Sequence, residues 1–157
     1  YALDGFAFSA EALVGASYGT KSKEKIRSAS MKSTIWAFIC AILITLFLVM
    51  FSKKLIEIMV VDESIQTASI EHCFWMTITP ITGVLSFMLD GIFIGATKAR
   101  FMRKAMIQSF AVYIGTMALL FPIFENHGLW ASINIFFIAR AIFLIRYYPN
   151  VESFEEA

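Results

Sequence analysis

Residues 89–100 read LDGIFIGATKAR, an aspartate and glycine set in apolar sequence just ahead of a run of bases, and LDGFAF at residues 3–8 repeats its opening. Asp90 lies eight residues before Lys98, about 12 Å along a helix. If this run crosses a bilayer, that depth is hydrocarbon. An ionised side chain there costs about 2.5–3.5 kcal/mol on insertion scales unless it faces protein or water. A carboxylate at such a depth is by default an ion or proton site, and the alternative reading is a helix–helix hydrogen bond. Asp4 and Glu11 are seven residues apart and so share one helix face. Glu11 stands about 15 Å from Lys21 along the axis. Two acids in line can form a polar track in a cavity; the plainer reading is an exposed Asp4 at the surface. Asp90, Asp4 and Glu11 are therefore the candidate ion- and substrate-binding residues. Arg140 lies six residues before Arg146, about 9 Å from that end. Its long side chain is expected to snorkel to the headgroups, with pairing to Asp90 or Glu11 in second place.

Small residues and a proline surround these groups. Gly91 next to Asp90 leaves room for another helix or a ligand. Gly91 with Gly95, and Gly15 with Gly19, have the GxxxG spacing that lets helices approach closely. Pro80, preceded by Thr79, frees backbone groups and is expected to bend its helix near the site. Other combinations lead nowhere. Residues 15–22 (GASYGTKS) are one residue short of a phosphate-binding loop, and no strand precedes them. Glu71, His72 and Cys73 offer three ligand types without a second cluster, so no metal is expected. His127 is read as standing alone in an outer turn. Cys40 and Cys73 form no CxxC pair. No Ser/His/Asp set, HExxH motif or pair of cytoplasmic acids is present, so an enzyme has no visible apparatus. Neither a cofactor nor a nucleic-acid partner is expected.

The elements that must position these residues are membrane spans. The chain is 59% hydrophobic and 16% charged, with a mean hydropathy of +0.72. Soluble domains are about 25% charged and 45–50% apolar, and 157 residues could not hide this excess in one core. The charges are also clustered, with long uncharged runs between them. The pattern predicts an all-α polytopic membrane bundle of about five helices, near residues 1–20, 34–51, 70–97, 104–124 and 128–147. Residues 20–33 carry Lys21, Lys23, Lys25, Arg27 and Lys32 against Glu24, and residues 98–104 carry four bases and no acid. Residues 52–72 mix Lys53 and Lys54 with Glu57, Asp62, Glu63 and Glu71, and include a candidate interfacial helix over Leu55, Ile56, Met59 and Val60. Basic loops stay in the cytoplasm. Residues 20–33, 98–104 and 151–157 are thus expected inside and 52–72 outside. The whole chain reads as one membrane domain with no linker. Tyr1 follows no methionine, basic lead-in or cleavage pattern, which leads us to expect a piece of a longer chain.

Residues 3–15 (LDGFAFSAEALVG), 91–106 (GIFIGATKARFMRKAM) and 128–140 (GLWASINIFFIAR) together resemble the multidrug and toxic compound extrusion (MATE) family, in its DNA-damage-inducible F (DinF) branch. The resemblance runs from end to end and covers about the last five of the family's twelve helices. It implies that this chain is an incomplete second lobe, lacking the N-terminal lobe and the start of the second. The implied activity is a secondary antiporter of the inner membrane, exporting cationic or amphipathic compounds against protons or sodium ions through a cavity between two lobes. Some branches of the family use an aspartate of the tenth helix in a second-lobe cation site, and Asp90 falls in the matching helix. In the DinF branch coupling is often attributed to an aspartate of the first helix, which this chain does not contain. Two rivals stand beside this reading. A flippase of lipid-linked saccharides in the same superfamily would prefer several bases in its cavity, whereas the intramembrane charges here are mainly acidic. A non-transporting membrane assembly subunit would not need Asp90 for efflux.

Overall fold

Backbone in hydrocarbon must satisfy its own hydrogen bonds, and this chain does so with helices. The structure, a computed structural model, describes residues 2–154. It contains α1 (Ala2–Gly19), α2 (Lys23–Met59), α3 (Glu63–Gly95) and α4 (Ala99–Tyr147), followed by a 3-10 turn, Tyr148–Asn150. No strand occurs among the described residues. Tyr1, expected to open the first helix, and residues 155–157 of the expected inner tail lie outside the described residues. By length and composition α2, α3 and α4 are able to cross a membrane, whereas α1, which carries Asp4 and Glu11, is not among the helices that qualify.

The last element is a hairpin. Glu125 breaks α4 with φ 50° and ψ −126°, leaving arms over residues 99–124 and 126–147. A Cβ on Gly128 would collide with the backbone of Leu120. The Tyr113 ring meets Phe136 at 6.1 Å, and the Tyr147 hydroxyl donates to Gln108 Oε1 at 3.2 Å. The arms therefore run antiparallel, and the five expected helices appear as five helical segments.

The connections are much shorter than the charge clusters suggested. Residues 52–72 were expected to form an outer loop with an interfacial helix. Instead α2 continues to Met59, α3 starts at Glu63, and only residues 60–62 connect them. The basic segments likewise join helices as extra turns, leaving short reversals at 20–22 and 96–98. Helix propagation explains this, since each added residue closes one more backbone bond and Lys, Glu, Ala and Ile all tolerate it. Local chemistry then sets the ends. The Ser22 hydroxyl caps α2 by accepting from the Lys25 amide. Asp62 caps α3, accepting from the amides of Ser64 at 2.8 Å and Ile65 at 3.2 Å. Thr97, at φ 58°, closes α3 in a left-handed turn. There the Lys98 amide reaches the Phe93 carbonyl and the Thr97 amide reaches that of Ile94, the paired closure of a Schellman motif.

α3 is the hub: it packs on α1, α2 and α4, α1 also packs on α2, and α4 joins the bundle through α3. The contact with α1 depends on glycine. A Cβ on Gly91 would collide with the Ala7 carbonyl, and one on Gly95 with that of Glu11. The room beside Asp90 is thus taken by a helix, and the matched order of these contacts makes α1 and α3 parallel. Gly15 faces the same crossing, but nothing approaches Gly19, so only one member of that GxxxG pair is used. α3 continues unbroken through Pro80.

The buried centre is built from Val14, Ile26, Val84, Met88, Ile92 and Phe93. Large side chains such as Trp36, Leu43, Phe47 and Met50 of α2 are exposed, an apolar surface suited to lipid rather than water. One end of the bundle gathers the turns at 20–22 and 96–98 with the C-terminal segment. There the Tyr18 hydroxyl donates to the Ser153 carbonyl at 3.2 Å, and its ring meets Phe154 at 5.5 Å. Residues 60–62 and Glu125 lie at the other end.

Candidate functional site at the interface of α3 and α4

The second arm of α4 runs parallel to α3, and polar side chains meet in order along the seam between them. Nearest the break at Glu125, the Trp75 indole donates to His127 Nδ1 at 3.0 Å. One turn-pair further on, the Thr82 hydroxyl donates to Asn134 Oδ1 at 2.6 Å. The rings of Phe87 and Phe137 come next, 5.6 Å apart. Then Arg140 reaches Asp90. The first step is seven residues on each helix, which returns it to the same face, and the later steps of three to five residues keep the series in the seam.

Asp90 and Arg140 form the charged site. Arg140 donates to Asp90 Oδ1 through Nη2 at 2.9 Å and Nε at 3.3 Å. The same Nη2 stands 2.9 Å from Oδ2. The Arg140 side chain is 13% exposed and that of Asp90 21%. The third guanidinium nitrogen, Nη1, contacts Met106 Sδ on the first arm, so Arg140 touches α3 and the first arm of the hairpin together. The local reason is helical geometry. Gly91 points at α1, and Asp90, about 100° around the helix from it, is turned toward α4. Planar Arg–carboxylate pairs of this kind are directional and charge-assisted. They also reduce the cost of placing either charge at membrane depth. The expected snorkelling of Arg140 is thus corrected. The hairpin folds its guanidinium back onto α3, where a carboxylate is within reach.

The other candidates are dispersed. Among the described residues Asp90 is paired with Arg140, whereas Asp4 and Glu11 lie on α1. Glu11 borders a separate groove of about 380 Å³ beside Phe8, Gly15 and Gly95. Pro80 is ten residues before Asp90, about 15 Å along α3, too far to shape the site directly.

His127 is not alone, contrary to the sequence reading. Its ring stacks on His72 at 4.4 Å, and Nε2 stands 3.7 Å from Glu71 Oε1, besides the bond from Trp75. The hairpin turn brings it against the start of α3. Among the described residues, no group of three or more His, Cys, Asp and Glu is placed to hold a metal ion. Sequence reasoning also missed Thr82 and Asn134. The available signal was the seven-residue spacing of Trp75 with Thr82 and of His127 with Asn134. Nothing local says that these two faces meet.

Residues 2–121 match the MatE family. The chain is also 32% identical over 144 residues to DNA damage-inducible protein F of Escherichia coli (strain K12), a match covering 92% of this chain and 31% of that protein. The chain thus spans about a third of that relative's length. No solved structure matches it. With an all-helical bundle, apolar outer faces and a match over most of its length, the chain belongs to the MatE family, the multidrug and toxic compound extrusion proteins that its sequence resembles.

Proposed function

We propose that this chain forms part of the second lobe of an ion-coupled antiporter that exports cationic or amphipathic compounds, with Asp90 as its cation-binding carboxylate. The observation that carries the reading is the Asp90–Arg140 pair, a carboxylate and a guanidinium held in the seam between two helices within the bundle. Arg140 is then a built-in cation. A proton, a sodium ion or a positively charged substrate that takes Asp90 must first displace it. Occupants that exclude one another at one carboxylate give a simple basis for exchange. Release of Arg140 would loosen the link between α3 and the hairpin, so occupancy and helix packing would change together. The proposed partners are the bilayer of the inner membrane, the N-terminal lobe and the transported compound. The proposed topology puts the basic turns and the C-terminus in the cytoplasm. Asp4 and Glu11 take a lesser part, as acids on α1.

The test is gradient-driven efflux of a cationic dye by the complete transporter. Asp90→Asn keeps the shape and removes the charge, and it should reduce efflux while the protein stays in the membrane. Asp4→Asn and Glu11→Gln should have smaller effects. Normal cation export by Asp90→Asn, together with loss of transport in Arg140→Ala, would show that Asp90 is a packing residue and would favour the flippase reading.

A further inference from the structure

At the basic end of the bundle a groove of about 270 Å³ lies between α2, α3 and the 3-10 turn. One face of α2 forms its floor. Arg27, Ser30, Met31, Thr34 and Ile35 line it, at the three- and four-residue steps of a helical stripe. Leu89 and Ile92 of α3 and Tyr148 form the opposite side. The composition is graded. The cation is at the helix start and the aliphatic side chains lie one to two turns deeper, with Met31 60% and Ile35 52% exposed. Lys23, one turn before Arg27, is exposed on the same face.

Two details mark the groove as a ligand site rather than a packing defect. Ser30 is only 4% exposed, lines the groove, and its Oγ has no hydrogen-bond partner among the described residues. A buried hydroxyl without a partner is costly and uncommon. Arg27 is itself under-used. Its side chain is 74% exposed, and its Nε stands 3.8 Å from Glu152 Oε1 in a loose ion pair. That is beyond hydrogen-bond range, and Glu152 Oε1 has no hydrogen-bond partner among the described residues either. The guanidinium fork is therefore open to an oxyanion.

We propose that this groove binds an anionic phospholipid. The phosphate sits at Arg27, with Lys23 adding charge, a headgroup or ester oxygen takes the Ser30 hydroxyl, and an acyl chain lies along Met31, Ile35 and Ile92. Basic pockets at the ends of membrane helices suit anionic headgroups, and an Arg fork matches phosphate oxygens in pairs. A zwitterionic lipid offers the same phosphate but would bring its choline cation into a basic cluster. The proposal rests on the bundle lying in a bilayer and not on the identity of the transported compound, so it stands or falls separately from the cation site.

The test uses the complete transporter, purified in mild detergent. Retained lipid is measured by native mass spectrometry during titration with phosphatidylglycerol or phosphatidylcholine, with inorganic phosphate as a third arm. Phosphatidylglycerol should be preferred, and Arg27→Gln should weaken it about five-fold, the effect of one juxtamembrane cation. Arg27→Lys, which keeps the charge and loses the fork, should fall between Arg27→Gln and wild type, and Ser30→Leu, which fills the groove with the charges intact, should lose it. If Arg27→Gln does not reach the membrane, Ser30→Leu against wild type decides. Unchanged phosphatidylglycerol binding in these variants, equal retention of phosphatidylcholine, or equal stabilisation by inorganic phosphate would each overturn the proposal.

Discussion

Asp90 and Arg140 are stable where they are because they are together. Removing one partner leaves a charge without its counter-ion in an apolar setting, a loss of about 3–5 kcal/mol for buried pairs. Removing both charges avoids that loss. Asp90→Asn and Arg140→Gln should therefore each lower the melting temperature of the purified transporter, and the double variant should recover most of it. Efflux should behave differently, remaining low in the double variant because no carboxylate is left to exchange its occupant. Recovery of both stability and efflux in the double variant would make the pair structural and end its role in coupling. Reversal to Asp90→Arg with Arg140→Asp should restore stability more than transport.

At the level of the elements, two features set how α3 is held. Its crossing with α1 depends on Gly95, where any Cβ would strike the Glu11 carbonyl. Neither backbone can yield without moving a whole helix, so Gly95→Val should cost about 1–3 kcal/mol through overpacking, read as a lower melting temperature. Gly19→Ala, with nothing near it, should have little effect. The start of α3 depends on Asp62. The Ser64 hydroxyl, then the amides of Ile65 and Ser64, hold its carboxyl below the ordinary range. A carboxyl with a lowered folded-state pKa stabilises above its ordinary value, and that contribution is lost as pH falls through the folded-state value. Acid titration should therefore loosen the start of α3, seen as lower amide protection factors at Ser64 and Ile65 once the intrinsic exchange rate is divided out. Asp62→Asn should abolish the pH dependence of that protection, and an unchanged profile would refute the capping role.

Over the whole molecule, the charge bias differs between the two ends. Lys21, Lys23, Arg27, Lys98 and Arg100 outnumber Glu24 and Glu152 at one, and at the other Asp62, Glu63, Glu71 and Glu125 outnumber Lys53 and Lys54. With charge bias as the guide, an impermeant thiol reagent applied to intact cells should label a cysteine placed at Ser64 and spare one at Ser22. The opposite pattern would invert the proposed orientation while leaving the bundle unchanged. The sequence by itself determined the class of this protein, because an apolar excess in uncharged runs of helical length admits few solutions in a bilayer. It also determined the approximate helical segments and the resemblance to a transporter family. Asp90 stood out as a site residue for the same reason, since a lone carboxylate in such a run is expensive wherever its helix packs. The ends of the helices were less legible, because hydrogen-bond propagation carried α2 and α3 through segments whose charges suggested a loop. Tertiary structure alone decided the partners. Snorkelling and pairing of Arg140 are equally local possibilities, and only the reversal at Glu125 turned that guanidinium onto α3. The same reversal joined Thr82 to Asn134 and His127 to Trp75. Those contacts span about fifty residues of chain, and periodicity within one helix carries no information about which helix its polar face will meet.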